Sequence, residues 1–341
     1  MENYISKHII RVAFLVLSVL VTLGGCSEPI KKYHSKRLFL APDAESSNAG
    51  LRLFWSGAAS VVIDDGTHSV LIDPFVSRQE NSVFDIVFRR DAVVAECRIN
   101  ERVKRPEIAR AKTILVGHSH YDHSLDVAEF ARLTKAQVFG SLSTQRILRA
   151  HDHTTATRVT ANDVLEKDDV DGRFKITVFA SKHGNPPVCL EPFGCLNPLA
   201  DTVPDSFELP AAVTEYGEGE VYAFFVEHKF GNVLHVGSAG VMSGTLDHLK
   251  GQVDVVLLSL VGRGPTEAFL KNIVAAVNPD YVIPIHFDNL FRSLDAETRV
   301  AKIAKLSEFF EVMERDYPNV NTGVIPFDEP WNLPHRGASD G

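Results

Sequence analysis

Three imidazoles and a carboxylate crowd into six positions at His118-Ser119-His120-Tyr121-Asp122-His123, directly after the apolar run Thr113 to Val116. Neutral imidazoles and an ionised carboxylate are the donor set that a zinc-like cation takes from proteins. In extended backbone alternate side chains share a side, so His118 and His120 can grip one ion. Asp122 and His123, past the turn into a helix, then face another. A solvated polar loop has no reason to be so dense in a chain with 14 histidines. A cation held there can acidify bound water and polarise a carbonyl or phosphoryl oxygen. Asp122, if no second ion claims it, can orient or deprotonate that water.

Such a cluster needs a rigid frame, and the rest of the chain reads as one. Leu51 to Trp55, Ser60 to Ile63 and Ser69 to Ile72 are short β-rich runs, the last two separated by the turn signal Asp64-Asp65-Gly66. Strands and helices then alternate: strands over 113–116 and 137–139, helices over 124–133 and 143–150. Further strands fall at 174–180, 221–226, 233–236, 253–258 and 281–285. A helix starts at Pro265 and stops at Asn278-Pro279, and Asp295 is expected to cap a final helix carrying Val300, Ile303, Leu306, Phe309 and Phe310. Two sheets faced by helices, an α/β sandwich in one domain, follow from this order.

The His118–His123 segment resembles the metallo-β-lactamase superfamily, whose His-x-His-x-Asp-His motif it matches in full. Trp55-Ser56-Gly57-Ala58-Ala59-Ser60 and Leu71-Ile72-Asp73-Pro74 are similar to the opening hairpins of the branch that includes ascorbate-6-phosphate lactonase and N-acylphosphatidylethanolamine phospholipase D. The resemblance implies an αββα sandwich over residues 51–341 and a metal-dependent hydrolase holding one or two zinc ions, or Mn or Fe. It implies His118, His120 and His183 as ligands of a first ion, and Asp122, His123 and His286 as ligands of a second. Asp73 would stand behind the site and orient a ligating histidine. One departure matters: where the family writes Gly-Asp-Ser/Thr-Gly, with the Asp bridging both ions, this chain has Gly237-Ser238-Ala239-Gly240. Ser238 therefore occupies an altered bridging position. His228, His235 and Asp254 are possible replacements, each read more simply as an ordinary strand residue.

The N-terminus addresses the protein. Lys7, His8 and Arg11 precede an apolar run from Val12 to Leu23 that spans roughly 18 Å as a helix, short of a bilayer core of about 30 Å. It ends in Leu23-Gly24-Gly25-Cys26-Ser27, which resembles the bacterial lipobox. Residues 1–25 are expected to be a signal peptide, Cys26 the lipidated residue and 26–50 a tether, with the protein held in the cell envelope, on the outer membrane facing the periplasm. There a bridge between Cys189 and Cys195 is open, with free thiols as its alternative. The charge of −9 over 341 residues argues against nucleic acid as a partner. Eight Lys/Arg against four Asp/Glu between Arg89 and Lys112 form a basic stretch that can attract an anionic substrate or simply face solvent. The expected substrate is a small or lipid-derived ester, lactone, amide or phosphodiester. A degenerate envelope protein that binds metal or ligand without turnover is the alternative, motivated by Ser238.

Overall fold

The computed structural model describes residues 27–36, 50–79, 89–151, 156–166, 170, 172–184, 189–190, 194–195 and 200–334. Residues 1–25, expected to be a signal peptide, and Cys26, expected to be the lipidated residue, lie outside them. The chain opens on β1 (Ser27–Pro29) and then builds a seven-stranded sheet. Its members are β2 (Arg52–Trp55), β3 (Val61–Asp64), β4 (Ser69–Ile72), β5 (Ala111–Leu115), β6 (Gln137–Gly140) and β7 (Ala156–Arg158). They lie in sequence order, with β18 (Pro330–Asn332) outside β2. The second seven-stranded sheet holds β8 (Val164–Leu165), β9 (Lys175–Ala180), β12 (Tyr222–Glu227), β13 (Val233–Val236), β14 (Val255–Ser259), β15 (Tyr281–Ile285) and β17 (Asn321–Thr322). Between them in sequence, β10 (Cys189–Leu190) pairs with β11 (Gly194–Cys195), and β16 (Arg299–Ala301) pairs with β1.

Side-chain parity decides the layers, because successive residues of a strand point to opposite faces. Leu53 and Trp55, Val61 and Ile63, Val70 and Ile72, Leu115 and Phe139 join one apolar cluster with the second sheet. Their neighbours Phe54, Val62, Leu71, Ile114 and Val138 join another, with Ala128 and Ala131 of helix Val127–Thr134 and Ile147 and Leu148 of helix Leu142–Ala150. In the second sheet β13 and β14 are buried at every position, as strands covered on both faces are. Helices Thr266–Leu270 and Leu306–Asp316 supply Phe269, Leu270, Phe309, Phe310 and Met313 to that cluster. This is the αββα sandwich expected.

Topology then gathers the site at one edge. β4 and β5 run parallel, as do β13, β14 and β15, and β9 is antiparallel to β12, which is antiparallel to β13. The C-terminal ends of β4, β5, β9, β13 and β15 therefore share an edge. The residues that follow those ends are Asp73, Gly117-His118, His183, Gly237-Ser238 and His286.

Three expectations are corrected. The final helix begins at Leu306, not after Asp295: Val300 sits in β16, held between β1 and the segment 287–289 by pairings that periodicity alone does not reveal. The segment 27–36, expected to be part of a free tether, is instead docked, with Ile30 and Tyr33 buried in the core. The basic stretch is largely committed: Arg98 to Asp295, Arg102 and Arg105 to Asp328, Lys104 to Glu101 and Arg110 to Asp64. Arg98, Arg102, Arg105 and Arg110 thereby tie the helical layer to other segments, so that much of this stretch is committed to ion pairs within the protein.

Candidate metal centre

The loop after β5 is folded by hydrogen bonds around Asp73. This residue has φ 48° and His286 has φ 49°, a left-handed conformation that a non-glycine residue adopts only when its surroundings enforce it. Asp73 N–H donates to Leu115 O at 2.9 Å, and His286 N–H donates to Ala58 O at 2.8 Å. The Asp73 carboxylate accepts from the Gly117 N–H at 2.6 Å and lies 2.8 Å from His123 Nδ1. A Cβ at Gly117 or at Gly237 would stand 3.0 Å from Asp73 Oδ2, so both close approaches depend on glycine. Asp73 thus fixes the His123 ring with Nε2 turned inward, the arrangement that presents one imidazole nitrogen to a cation.

The expected ligands meet in two adjacent groups, His118, His120 and His183, and Asp122, His123 and His286, with the donor atoms of each group within 4.8 Å of one another. All but His183 are buried. The groups touch, since the His118 and His123 ring centroids are 3.8 Å apart. His118 Nε2 and His120 Nδ1 are 3.0 Å apart, close to the roughly 3.3 Å that two nitrogens take on a tetrahedral ion with bonds near 2.05 Å. His118 Nδ1, His120 Nε2 and His286 Nδ1 are buried with no hydrogen-bond partner, an arrangement costly for a merely structural histidine cluster.

Electrostatics suit the same purpose. Burial, reinforced by the neighbouring imidazoles, drives His118 well below its ordinary range, His120 down to about 3 and His183 to about 4, so all three are neutral. Burial opposes ionisation of Asp122, but His123 and His286 outweigh it and hold the carboxylate well below its usual range. His286 Nε2 lies 3.2 Å from Asp122 Oδ2 and His123 Nε2 lies 3.8 Å from it. For His123 burial is also overcome, by Asp73 and Asp122, which raise its pKa. The donors fit a divalent cation in the first group, and in the second they fit one with a carboxylate as well.

The segment 237–240, which carries Ser238, runs from the side of one group to the side of the other. Gly237 abuts Asp73, behind His123, and Gly240 bridges to Lys182, beside His183. The possible replacements do not join the centre. His235 Nε2 is 3.0 Å from Ala59 O, His228 Nε2 is 3.3 Å from Asp65, and Asp254 accepts from the Asn232 N–H. Cys189 lies opposite Cys195 in the β10–β11 register, but their side chains lie outside the described residues. Cys97 is free and exposed.

The sequence reading missed Glu218. Its carboxylate lies 3.7 Å from His183 Nδ1, and its carbonyl accepts from the Ser119 N–H at 3.0 Å. The loop 215–221 is thereby pinned to the His118–His120 loop, 99 positions away, a contact with no local signal. A carboxylate on the outer nitrogen of a ligating histidine typically changes metal affinity 10- to 100-fold. Glu218→Gln is therefore expected to weaken zinc about tenfold in a chelator competition titration, with hydrodynamic size unchanged; equal affinity would detach Glu218 from the site.

Beneath the loop, Asp126 Oδ2 accepts from the Val76 and Ser77 N–H groups at 2.6 and 2.8 Å while Oδ1 is unpartnered. Burial pushes its pKa up to about 6 from 3.8. The contribution of neutral Asp126 is complete below pH 3.8 and is lost as pH rises through 6, about 3 kcal/mol for a shift of this size. Urea unfolding should show Asp126→Asn gaining about that much on the native chain between pH 4 and 7. A constant difference would mean that Asp126 titrates normally.

The model of the beta-lactamase superfamily domain matches residues 68–288. A metal-dependent hydrolase from Pyrobaculum islandicum is 22% identical over 270 residues, covering 76% of this chain and 96% of its own length. A metallo hydrolase from Ignicoccus hospitalis superposes with TM-score 0.56 at 15% identity, over 84% of this chain and all of its own. A diiron β-hydroxylase from Streptomyces venezuelae does so with TM-score 0.51 at 14% identity, over 85% of this chain and 55% of its own. The two structural likenesses are likenesses of fold.

Proposed function

This chain belongs to the beta-lactamase superfamily, and from that premise we propose that it is a metal-dependent hydrolase anchored to the bacterial cell envelope through Cys26. The substrate is an ester, lactone, amide or phosphodiester of small-molecule or lipid origin. The observation that carries the reading is the pair of touching donor groups, His118–His120–His183 and Asp122–His123–His286. The Pyrobaculum relative's name supports hydrolysis over the oxidation performed by the diiron fold neighbour.

The first group would hold the principal ion and the second another where charge permits. Zinc suits the neutral three-histidine set, with Mn or Fe as alternatives. Bound there, a divalent ion supplies Lewis acidity toward water and toward a carbonyl or phosphoryl oxygen. Where no second ion claims it, Asp122, kept ionised by His123 and His286, orients the attacking water or accepts its proton at Oδ2, the atom 3.2 Å from His286 Nε2. Asp73 fixes the His123 ring during that transfer. His118, His120 and His183 remain neutral and do not compete for the proton.

Ser238 favours a second reading, a protein that binds metal without turnover. Elemental analysis of chain purified without chelator, followed by a panel of model esters, lactones and bis-p-nitrophenyl phosphate, separates the two. Turnover by metal-loaded chain that falls about 100-fold in Asp122→Asn with its metal retained is the expected result. Metal without turnover on the panel would favour the second reading, and no metal after reconstitution would end both.

A further inference from the structure

The docking of the N-terminal strand fixes how far the anchor can stand from the metal centre. β16 is paired on both sides. On one, Ala301 N–H donates to Phe287 O and Asn289 N–H to Arg299 O, both at 2.8 Å. On the other, Ser27 lies opposite Ala301, Glu28 opposite Val300 and Pro29 opposite Arg299. Phe287, Ala301 and Ser27 therefore form one row across three strands, which puts the outer two Cα atoms about 10 Å apart. Phe287 adjoins the ligand His286. Cys26 is one peptide from Ser27, so its Cα is about 3.8 Å from that of Ser27.

The clip is built to hold. Arg299 donates to the Ser27 hydroxyl at 3.0 Å and to its carbonyl, and Ile30 N–H donates to Thr298 O at 3.3 Å. Lys31 pairs with Glu297 at 3.2 Å. Ile30 and Tyr33 are buried in the core cluster, so the strand is held by apolar burial as well as by hydrogen bonds. An anchor attached to a free tether would leave the domain to tumble; an anchor attached to this strand would not.

A second observation concerns the surface beside the centre. Among the described residues four large apolar side chains are exposed: Val93, Val164, Leu209 and Met242. Three of them lie on segments joined to those that leave the metal edge. Val93 exchanges hydrogen bonds with Gln79, on the segment leaving Asp73. Leu209 lies near Ala211, whose carbonyl accepts from the Ala92 N–H, and Met242 follows Gly240, beside Lys182.

We propose that the metal edge is a membrane-facing surface: the clip on β16 holds acylated Cys26 beside His286, and Val93, Leu209 and Met242 rest in the headgroup layer of the same leaflet. The partner is a lipid surface, and groups presented at headgroup depth reach the centre without the domain turning. This rests on the lipid anchor proposed above.

The test places a fluorescent amino acid at Met242 in one full-length acylated chain and at Lys229 in another. Lys229 is exposed in the turn between β12 and β13, at the opposite end of strands about 15–20 Å long. Each chain is reconstituted into phosphatidylethanolamine–phosphatidylglycerol vesicles carrying an acceptor-labelled lipid. Energy transfer from position 242 should exceed that from 229 at least twofold. Ten Gly/Ser residues inserted between Cys26 and Ser27, which add roughly 17–19 Å of reach, should cut that difference by half or more. Equal transfer from the two positions overturns the orientation. A difference that survives the linker overturns the role of the clip. The mass of the N-terminal peptide is read in parallel: an unacylated Cys26 removes the anchor itself, a failure distinct from the other two.

Discussion

Alanine at His120 or at His183 should empty the first half of the centre, taking the metal content from about one ion per chain to near zero. Hydrolysis should fall with it by about a thousandfold or more, some 4 kcal/mol of barrier. Three imidazoles make this group, and losing one leaves two donors with no carboxylate among them. The fold should not suffer in proportion. Among the described residues His120 Nε2 has no hydrogen-bond partner and its Nδ1 faces another neutral imidazole, so truncation removes no hydrogen bond seen there on which a neighbouring element depends. His235→Ala supplies the contrast. That ring is buried against Ala59 O and lies outside the donor groups, so its loss should cost stability, about 1–3 kcal/mol, while metal is retained. Elemental analysis beside urea unfolding reads both quantities. Full metal content in His120→Ala and His183→Ala alike would end the assignment of this centre.

Four of the six ligands were legible because one short stretch, 118–123, carries its own physics, whereas His183 and His286 were reached only through the resemblance to the family. An extended backbone puts His118 and His120 on one side, and no packing requirement explains three histidines in six positions. The layers were legible from parity, since Phe54 between Leu53 and Trp55, or Val62 between Val61 and Ile63, can only serve a strand buried on both faces. What escaped depends on pairing between distant segments. Val300 fits the apolar stripe of a helix as well as it fits a strand, and only the partners 27–29 and 287–289 decide for the strand. Ser27 to Lys36 is polar enough to read as tether, yet two residues of it, Ile30 and Tyr33, suffice to dock the rest. Glu218 reaches His183 because Ser119 bonds the carbonyls of residues 217 and 218, a closure that no window of local sequence contains. Arg98, Arg102 and Arg105 looked like part of a basic face because their partners Asp295 and Asp328 are over 180 positions away.

Ser238→Asp should turn a centre that holds about one ion into one that holds about two. Two divalent charges 3.5 Å apart repel by on the order of 20 kcal/mol even at an effective dielectric near 20, so the second ion needs negative charge close by. Asp122 is the one carboxylate among the six donors, and Asp73 is already engaged by Gly117 and His123. Position 238 follows Gly237, which abuts Asp73, and precedes Gly240, which bridges to Lys182, so a carboxylate there is expected to face both groups. The affinity for the second ion should rise at least about 100-fold, close to 2.7 kcal/mol. Without metal the same substitution should destabilise, because it adds a buried anion to a region that already holds Asp73 and Asp122. Thermal unfolding of the variant should therefore fall below that of the native chain in chelator and rise above it in excess zinc. That crossing is diagnostic. A substitution that merely crowded the loop would lower stability under both conditions, and a folded variant still holding one ion at saturating zinc would mean that position 238 does not lie between the two groups. Two ions in the unaltered chain would be equally decisive, since another anion, a substrate group or hydroxide, would then have to take the place that Ser238 leaves open.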